Sequence, residues 1–146
     1  MKKVLLTLLL AAVVSITASA RDSYSRDAAS LPTAARTILK NNFKSEVSLI
    51  KIDKDFGRVS EYEVILTDGT EITFDRAGNW KEVEVRQNSQ VPSKFIPAAI
   101  SSEVKRLQKG LKVVGIEKKR SGYEVTLSNG IEMKFNSQGR FTGYDD

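Results

Sequence analysis

The sequence of 146 residues contains no cysteine and no histidine. Without cysteine there are no disulfides, no thiolate nucleophile, no cysteine-held metal and no cysteine to carry a lipid anchor. Without histidine the usual general base near neutral pH and the commonest transition-metal ligand are missing. Ser-His-Asp, Cys-His and His-zinc chemistry are therefore excluded within the chain. The expectation is a non-enzyme with no cofactor, no metal and no catalytic residues.

Long hydrophobic runs are also scarce. The one present lies in residues 1–20, MKKVLLTLLLAAVVSITASA. Lys2 and Lys3 precede an apolar stretch from Val4 to Ile16, and Ala18-Ser19-Ala20 offers small residues to a signal peptidase. The run is short for a bilayer span, which needs about 20 apolar residues. It reads as a signal peptide, giving a periplasmic or secreted protein that starts near Arg21 and does not engage a membrane after cleavage. Residues 21–30 (RDSYSRDAAS) are polar and aperiodic and read as a flexible lead-in, with Ser30 as the N-cap of a helix opened by Pro32.

Net charge is +5, and basic residues alternate with acidic ones along most of the chain. The densest basic stretch runs Lys105-Arg106, Lys109, Lys112 and Lys118-Lys119-Arg120. Without interleaved aromatics it reads as a solvated helix face and a charged loop, not a nucleic-acid surface.

What is present in quantity is internal repetition. Residues 62–75 (YEVILTDGTEITFD) and 123–136 (YEVTLSNGIEMKFN) match at an offset of 61, with Tyr, Glu, Val, Leu, Gly, Glu and Phe identical. Each copy continues to a Gly and an aromatic, Gly78 and Trp80 or Gly139 and Phe141. Asp68-Gly69 and Asn129-Gly130 have the composition of two-residue hairpin turns. Upstream, the alternating segment 47–54 matches 111–118, and Leu31-Pro32 matches Ile96-Pro97. Each proline opens an amphipathic helix, with Ala35, Leu39 and Phe43 or Ile100, Val104 and Leu107 on the apolar side. Gly110 reads as the close of the second helix.

The resulting expectation is an α+β protein, a tandem repeat of two αββββ units over 31–85 and 91–146, joined by a linker at 86–90. Each antiparallel sheet is covered by its own helix. An extra loop in the first copy falls around Phe56-Gly57-Arg58.

These motifs resemble the PepSY-like family of exported bacterial proteins, whose fold is similar to that of the beta-lactamase inhibitor protein. The resemblance covers residues 31–146. It implies two αββββ repeats with a concave sheet surface, a periplasmic or secreted location, and a binding or inhibitory role without catalytic residues. The chain departs from the inhibitor in having no cysteine. Its outward strand positions also form a largely polar face: Glu63, Ile65, Thr67, Glu71 and Thr73, with Glu124, Thr126, Ser128, Glu132 and Lys134.

Tyr62, Phe74, Tyr123, Phe135 and Phe141 read as core by periodicity. Trp80 either points outward or points inward ahead of a bulge, because strict alternation would otherwise bury Glu82 and Glu84. For a protein partner in the envelope or outside the cell, the candidate contact patch is Ile65, Val83 and Val85 rimmed by Glu63, Thr73 and Lys81. The alternative is a small-ligand or glycan site in the groove between the repeats. Asp53-Lys54-Asp55-Phe56-Gly57 fails the EF-hand spacing, with Gly57 at position 5 and Val64 at position 12, and reads as a turn.

Overall fold

A computed structural model describes residues 21–145. The expected signal peptide, residues 1–20, lies outside the described residues.

The strands follow from alternation. In β2 (Val47–Asp55), β3 (Arg58–Leu66) and β4 (Glu71–Asp75), apolar side chains such as Ile50, Ile52, Tyr62, Val64, Leu66, Ile72 and Phe74 alternate with polar ones and turn to one face. β5 (Trp80–Glu84) adds Trp80 and Val83 to it across a bulge. β7 (Gly122–Leu127) and β8 (Glu132–Asn136) alternate likewise, whereas β6 (Val113–Lys119) opens with four buried residues and β9 (Phe141–Tyr144) pairs with β8 across a register shift. Two ten-residue helices, α1 (Thr33–Asn42) and α2 (Ala98–Leu107), precede β2 and β6.

The expectation of two sheets, each with its own helix, is not met. The described residues form one antiparallel sheet of nine strands in sequential order, from β1 (Ser23–Ser25) to β9. β5 pairs directly with β6, Glu82 opposite Glu117, Val83 opposite Ile116 and Glu84 opposite Gly115. Separate sheets would leave both strands as open edges with unpaired backbone groups. Pairing removes both edges and buries Val83 and Ile116 at 0% and 1% exposure. A single hydrophobic core follows, in which Ala35 and Leu39 of α1 and Ile100 and Val104 of α2 join the inner side chains of the whole sheet.

The lead-in is also structured. Ser23–Ser25 form β1 on the outer edge of β2, and Ala28–Ser30 form a 3-10 turn with Asp27 as its cap. Ser30 does not cap α1, because its hydroxyl donates back to the Asp27 carbonyl at 2.7 Å. Pro32 stands at the N-cap of α1 with no side-chain cap. α2 ends at Leu107 with Gln108 as its C-cap, so Gly110 lies beyond the helix end.

The Asp68-Gly69 and Asn129-Gly130 turns are one residue longer than two-residue hairpins. Gly69 donates to Leu66 O, and Leu66 N–H returns to Thr70 O; Gly130, Leu127 and Ile131 repeat the pattern. In each turn only the glycine is at positive φ. Phe56-Gly57, expected as a loop, is instead a two-residue turn capping a long β2–β3 hairpin, with φ of 50° and 77°.

Trp80 points inward. A bulge between Thr73 and Phe74 of β4 and the facing residues of β5 places Trp80 opposite Phe74 and Glu82 opposite Thr73. Lys81 absorbs the extra position. Where a groove between two units was expected, β5 and β6 are hydrogen-bonded. Beneath them the Phe95 ring lies 5.3 Å from Trp80 and 5.7 Å from Phe43.

Candidate binding face

The helices and the apolar side chains occupy one face of the sheet, so the alternate side chains form a second face that no helix among the described residues covers. One row of facing residues crosses every strand: Tyr24, Lys51, Glu63, Thr73, Glu82, Glu117, Glu124, Lys134 and Gly143. The next row runs Ile65, Glu71, Glu84, Gly115, Thr126 and Glu132. Glutamates thus oppose glutamates at Glu71–Glu84 and along Glu82–Glu117–Glu124. Like charges directly opposite one another destabilise a sheet.

Cations relieve this face unevenly. Lys51 Nζ lies 2.7 Å from Asp53, 3.6 Å from Asp22 and 3.8 Å from Glu63. Its hydrogen bond to Asp53 holds it well above the ordinary lysine value. Lys81 Nζ is 2.7 Å from Glu61. Lys119 Nζ is 3.0 Å from Glu117 and 3.8 Å from Glu124, and Lys134 pairs with Asp145.

Glu71, Glu82 and Glu84 appear in no ion pair among the described residues. Burial pushes Glu82 up to about 7, with Glu117 and Glu84 adding repulsion. Burial raises Glu71, and burial with repulsion from Glu71 and Glu117 raises Glu84. The middle of the open face is therefore an excess of carboxylate around Gly115. A Cβ there would meet Thr126 at 3.3 Å and Glu84 Cγ at 3.7 Å. Gly115 is itself buried and stands at a register shift between β6 and β7, so glycine here fits a bulge over which the Thr126 and Glu84 side chains close.

The residues singled out from sequence divide between the two faces. Glu63, Ile65 and Thr73 lie on the open face, and Lys81 reaches it from the bulge to bind Glu61. Val83 does not, because the bulge turns it between Ile72 and Ile116 into the core at 0% exposure. Val85 lies past the end of β5, packs against the core and donates its N–H to Val114 O at 2.8 Å. The apolar patch is thus reduced to Ile65.

Glu82, Glu84 and Glu117 were missed. The sequence leaves open the bulge that turns Glu82 and Glu84 outward, but the candidate patch has Val83 and Val85 as the outward residues of β5. The pairing that brings in Glu117 is long-range.

Two groups of three carboxylates have oxygens within 4.8 Å of one another: Asp53, Glu61 and Glu63, and Glu124, Glu132 and Asp145. A hollow at the β2–β3 side of the open face is lined by the first group with Asp22, Lys51 and Lys81. Asp53 enters this cluster from across strands, so the linear spacing of an EF-hand loop does not describe it. No helix among the described residues is long and apolar enough to cross a membrane.

Comparison with known proteins gives the chain relatives. Among curated proteins none matches. Three solved structures cover 86% of this chain. A Bacteroides vulgatus chain described as a "putative periplasmic protein of unknown function" is 42% identical, matched over 100% of its length with a TM-score of 0.81. A Bacteroides thetaiotaomicron chain described as a "putative calcium-regulated periplasmic protein" is 36% identical, matched over 97% at 0.77. A second Bacteroides vulgatus chain, a "putative periplasmic protein", is 34% identical, matched over 97% at 0.76. Their periplasmic descriptions accord with the exported location read from residues 1–20. Residues 60–142 match the family model described as "Putative beta-lactamase-inhibitor-like, PepSY-like". This periplasmic chain belongs to the PepSY-like family.

Proposed function

We propose that the protein is a non-catalytic binding module that receives a cationic segment of a partner protein across the open face of its sheet. The observation that carries this reading is the run of carboxylates Glu71, Glu82 and Glu84 around Gly115, which have no ion pair and no covering element among the described residues. A Lys or Arg side chain laid across these glutamates would supply the missing counter-charge. Glu71 and Glu84 are exposed and Glu82 is half-buried, so Glu82 gains most from such a partner. The inhibitor-like description of the family supports an exported enzyme as the partner, restrained by the contact.

The test is calorimetric titration with an extended Lys-Ser peptide and with its Glu-Ser counterpart. The Lys peptide is expected to bind, and the combined variant Glu71→Gln, Glu82→Gln, Glu84→Gln to lose at least tenfold in affinity. Equal binding by the variant, or binding of the Glu peptide, would remove this reading.

A second reading has its own observation. The relative described as calcium-regulated supports Ca²⁺ binding at Asp53, Glu61 and Glu63. Ca²⁺ takes six to eight oxygens, which three carboxylates supply only in part. The ion would have to displace Lys51 and Lys81 from these groups. Thermal unfolding with and without CaCl₂, in the native chain and in Glu63→Gln, decides it. A Ca²⁺-dependent rise in melting temperature abolished by Glu63→Gln supports the site, and no rise excludes it.

A further inference from the structure

Four hairpin turns lie at one end of the sheet, and each brings an arginine: Arg58 beside the β2–β3 tip, Arg76 between β4 and β5, Arg120 between β6 and β7, and Arg140 between β8 and β9. All four are exposed, and none takes part in an ion pair among the described residues. Neighbouring hairpins are two strands apart, so each of the last three turns stands about 10 Å from the next.

Few carboxylates answer them. Asp75 is engaged in its own turn, its Oδ1 accepting Ala77 N–H and Asn79 N–H, both at 2.9 Å. Asp55 stands opposite Arg58 at the hairpin tip. Asp53 and Glu61 are held by Lys51 and Lys81. Both helices begin at this end, since Gly78 lies against Ala35 N and Gly139 against Ala99 and Ile100. Their first turns carry no acidic residue, so the positive ends of the helix dipoles add to the arginines.

The β2–β3 hairpin projects past this level. Asp53, Glu61 and Asp75 share one register, and two more pairs follow before the turn, Lys54 with Val59 and Asp55 with Arg58. That adds about 7 Å. At its tip Phe56 is fully exposed and sits at φ 50°. A bulky residue in the left-handed region is strained, and glycine or asparagine would hold this turn more easily. The sequence thus keeps an aromatic where local stability and solubility both disfavour it, a departure that points to function.

We propose that this end of the sheet docks on an anionic membrane surface. The arginines lie among the lipid phosphates, and Phe56 reaches the acyl boundary, which interfacial elements enter by about 5–10 Å. Docked in this way the sheet stands upright, and its acidic face remains lateral and open. The docking is peripheral, whereas the sequence alone led to no membrane contact after signal cleavage.

The test is co-sedimentation of residues 21–146 with vesicles of phosphatidylglycerol and phosphatidylcholine in equal parts, against phosphatidylcholine alone. Binding is expected only with phosphatidylglycerol and is expected to weaken steeply with salt. Replacing Arg58, Arg76, Arg120 and Arg140 by Gln is expected to lower it several hundred-fold, at about fivefold per arginine. Phe56→Asn is expected to lower it about fivefold while leaving the melting temperature unchanged or higher, which separates docking from folding. No preference for phosphatidylglycerol, or full binding by the arginine variant, would overturn the proposal. So would complete competition by heparin with no effect of Phe56→Asn, which would assign the arginines to a soluble polyanion.

Discussion

Replacing Glu82 by glutamine is expected to stabilise the protein at pH 8. Glu82 sits between Thr73 and Glu117 in the central row, without an ion pair among the described residues. Burial first, then Glu117 and Glu84, raises it from the ordinary 4.5 to about 7. For a carboxyl whose folded value lies above its unfolded one, the native state binds the extra proton. Stability therefore falls as pH rises from about 4.5 through about 7, and the full cost is present above that.

At about 1.4 kcal/mol per pH unit the displacement corresponds to an upper limit of about 3 kcal/mol. Partial solvent access and the nearby Lys119 reduce this to about 1–2 kcal/mol. Glu63, Glu71 and Glu84 are raised by burial as well and act in the same direction. Asp68 and Asp75 act oppositely. Hydrogen bonds from their turn backbones outweigh burial and lower them, so their contribution is lost only as pH falls below about 4.

Urea unfolding at pH 5.5 and pH 8, at moderate salt, measures the effect. The native chain is expected to be less stable at pH 8. Glu82→Gln is expected to gain about 1–2 kcal/mol at pH 8 and almost nothing at pH 5.5, flattening the profile. A native chain more stable at pH 8, or a Glu82→Gln variant that loses stability there, would refute the reasoning that the open face carries uncompensated carboxylate.

Two further outcomes follow from the same geometry. Val83→Asp buries an unpaired charge between Ile72 and Ile116 and is expected to abolish folding, whereas Ile65→Asp on the open face is expected to change stability by less than about 1 kcal/mol; circular dichroism melts distinguish them. Lys51→Met removes the cation shared by Asp22, Asp53 and Glu63 and is expected to cost about 1 kcal/mol at pH 8 and less at pH 4, read from urea midpoints at the two values.

Much of the sheet was legible in the sequence because its signals are local. Tyr62, Val64 and Leu66 alternate with polar residues, and so do Tyr123, Val125 and Leu127. The turn glycines fall where the strands end. Features that depend on distant parts of the chain were not legible. Ser23-Tyr24-Ser25 has no apolar alternation of its own and becomes β1 only because β2 offers a free edge. The joining of β5 to β6 spans the whole of α2, and no local pattern specifies it. The bulge at Lys81 decides which side of β5 is outward, so the open face was assigned without Glu82 and Glu84 and with Val83 in their place.

The same bulge explains why the candidate site moved. A small apolar patch became two adjacent rows rich in carboxylates, whose glutamates come from six strands, β3 to β8. Facing charges of one sign, held together by a continuous ladder, need a counter-charge from elsewhere, and Lys51, Lys81 and Lys119 serve only the flanks.

The most direct measurement is an amide NMR titration of residues 21–146 with the extended Lys-Ser peptide at pH 8. Shifts are expected to concentrate on β4, β5, β6 and β7, centred on Glu84 and Gly115, and to vanish with Glu71, Glu82 and Glu84 replaced by glutamine. Shifts centred on α1 and α2, or an unperturbed spectrum at saturating peptide, would contradict a cation-receiving open face.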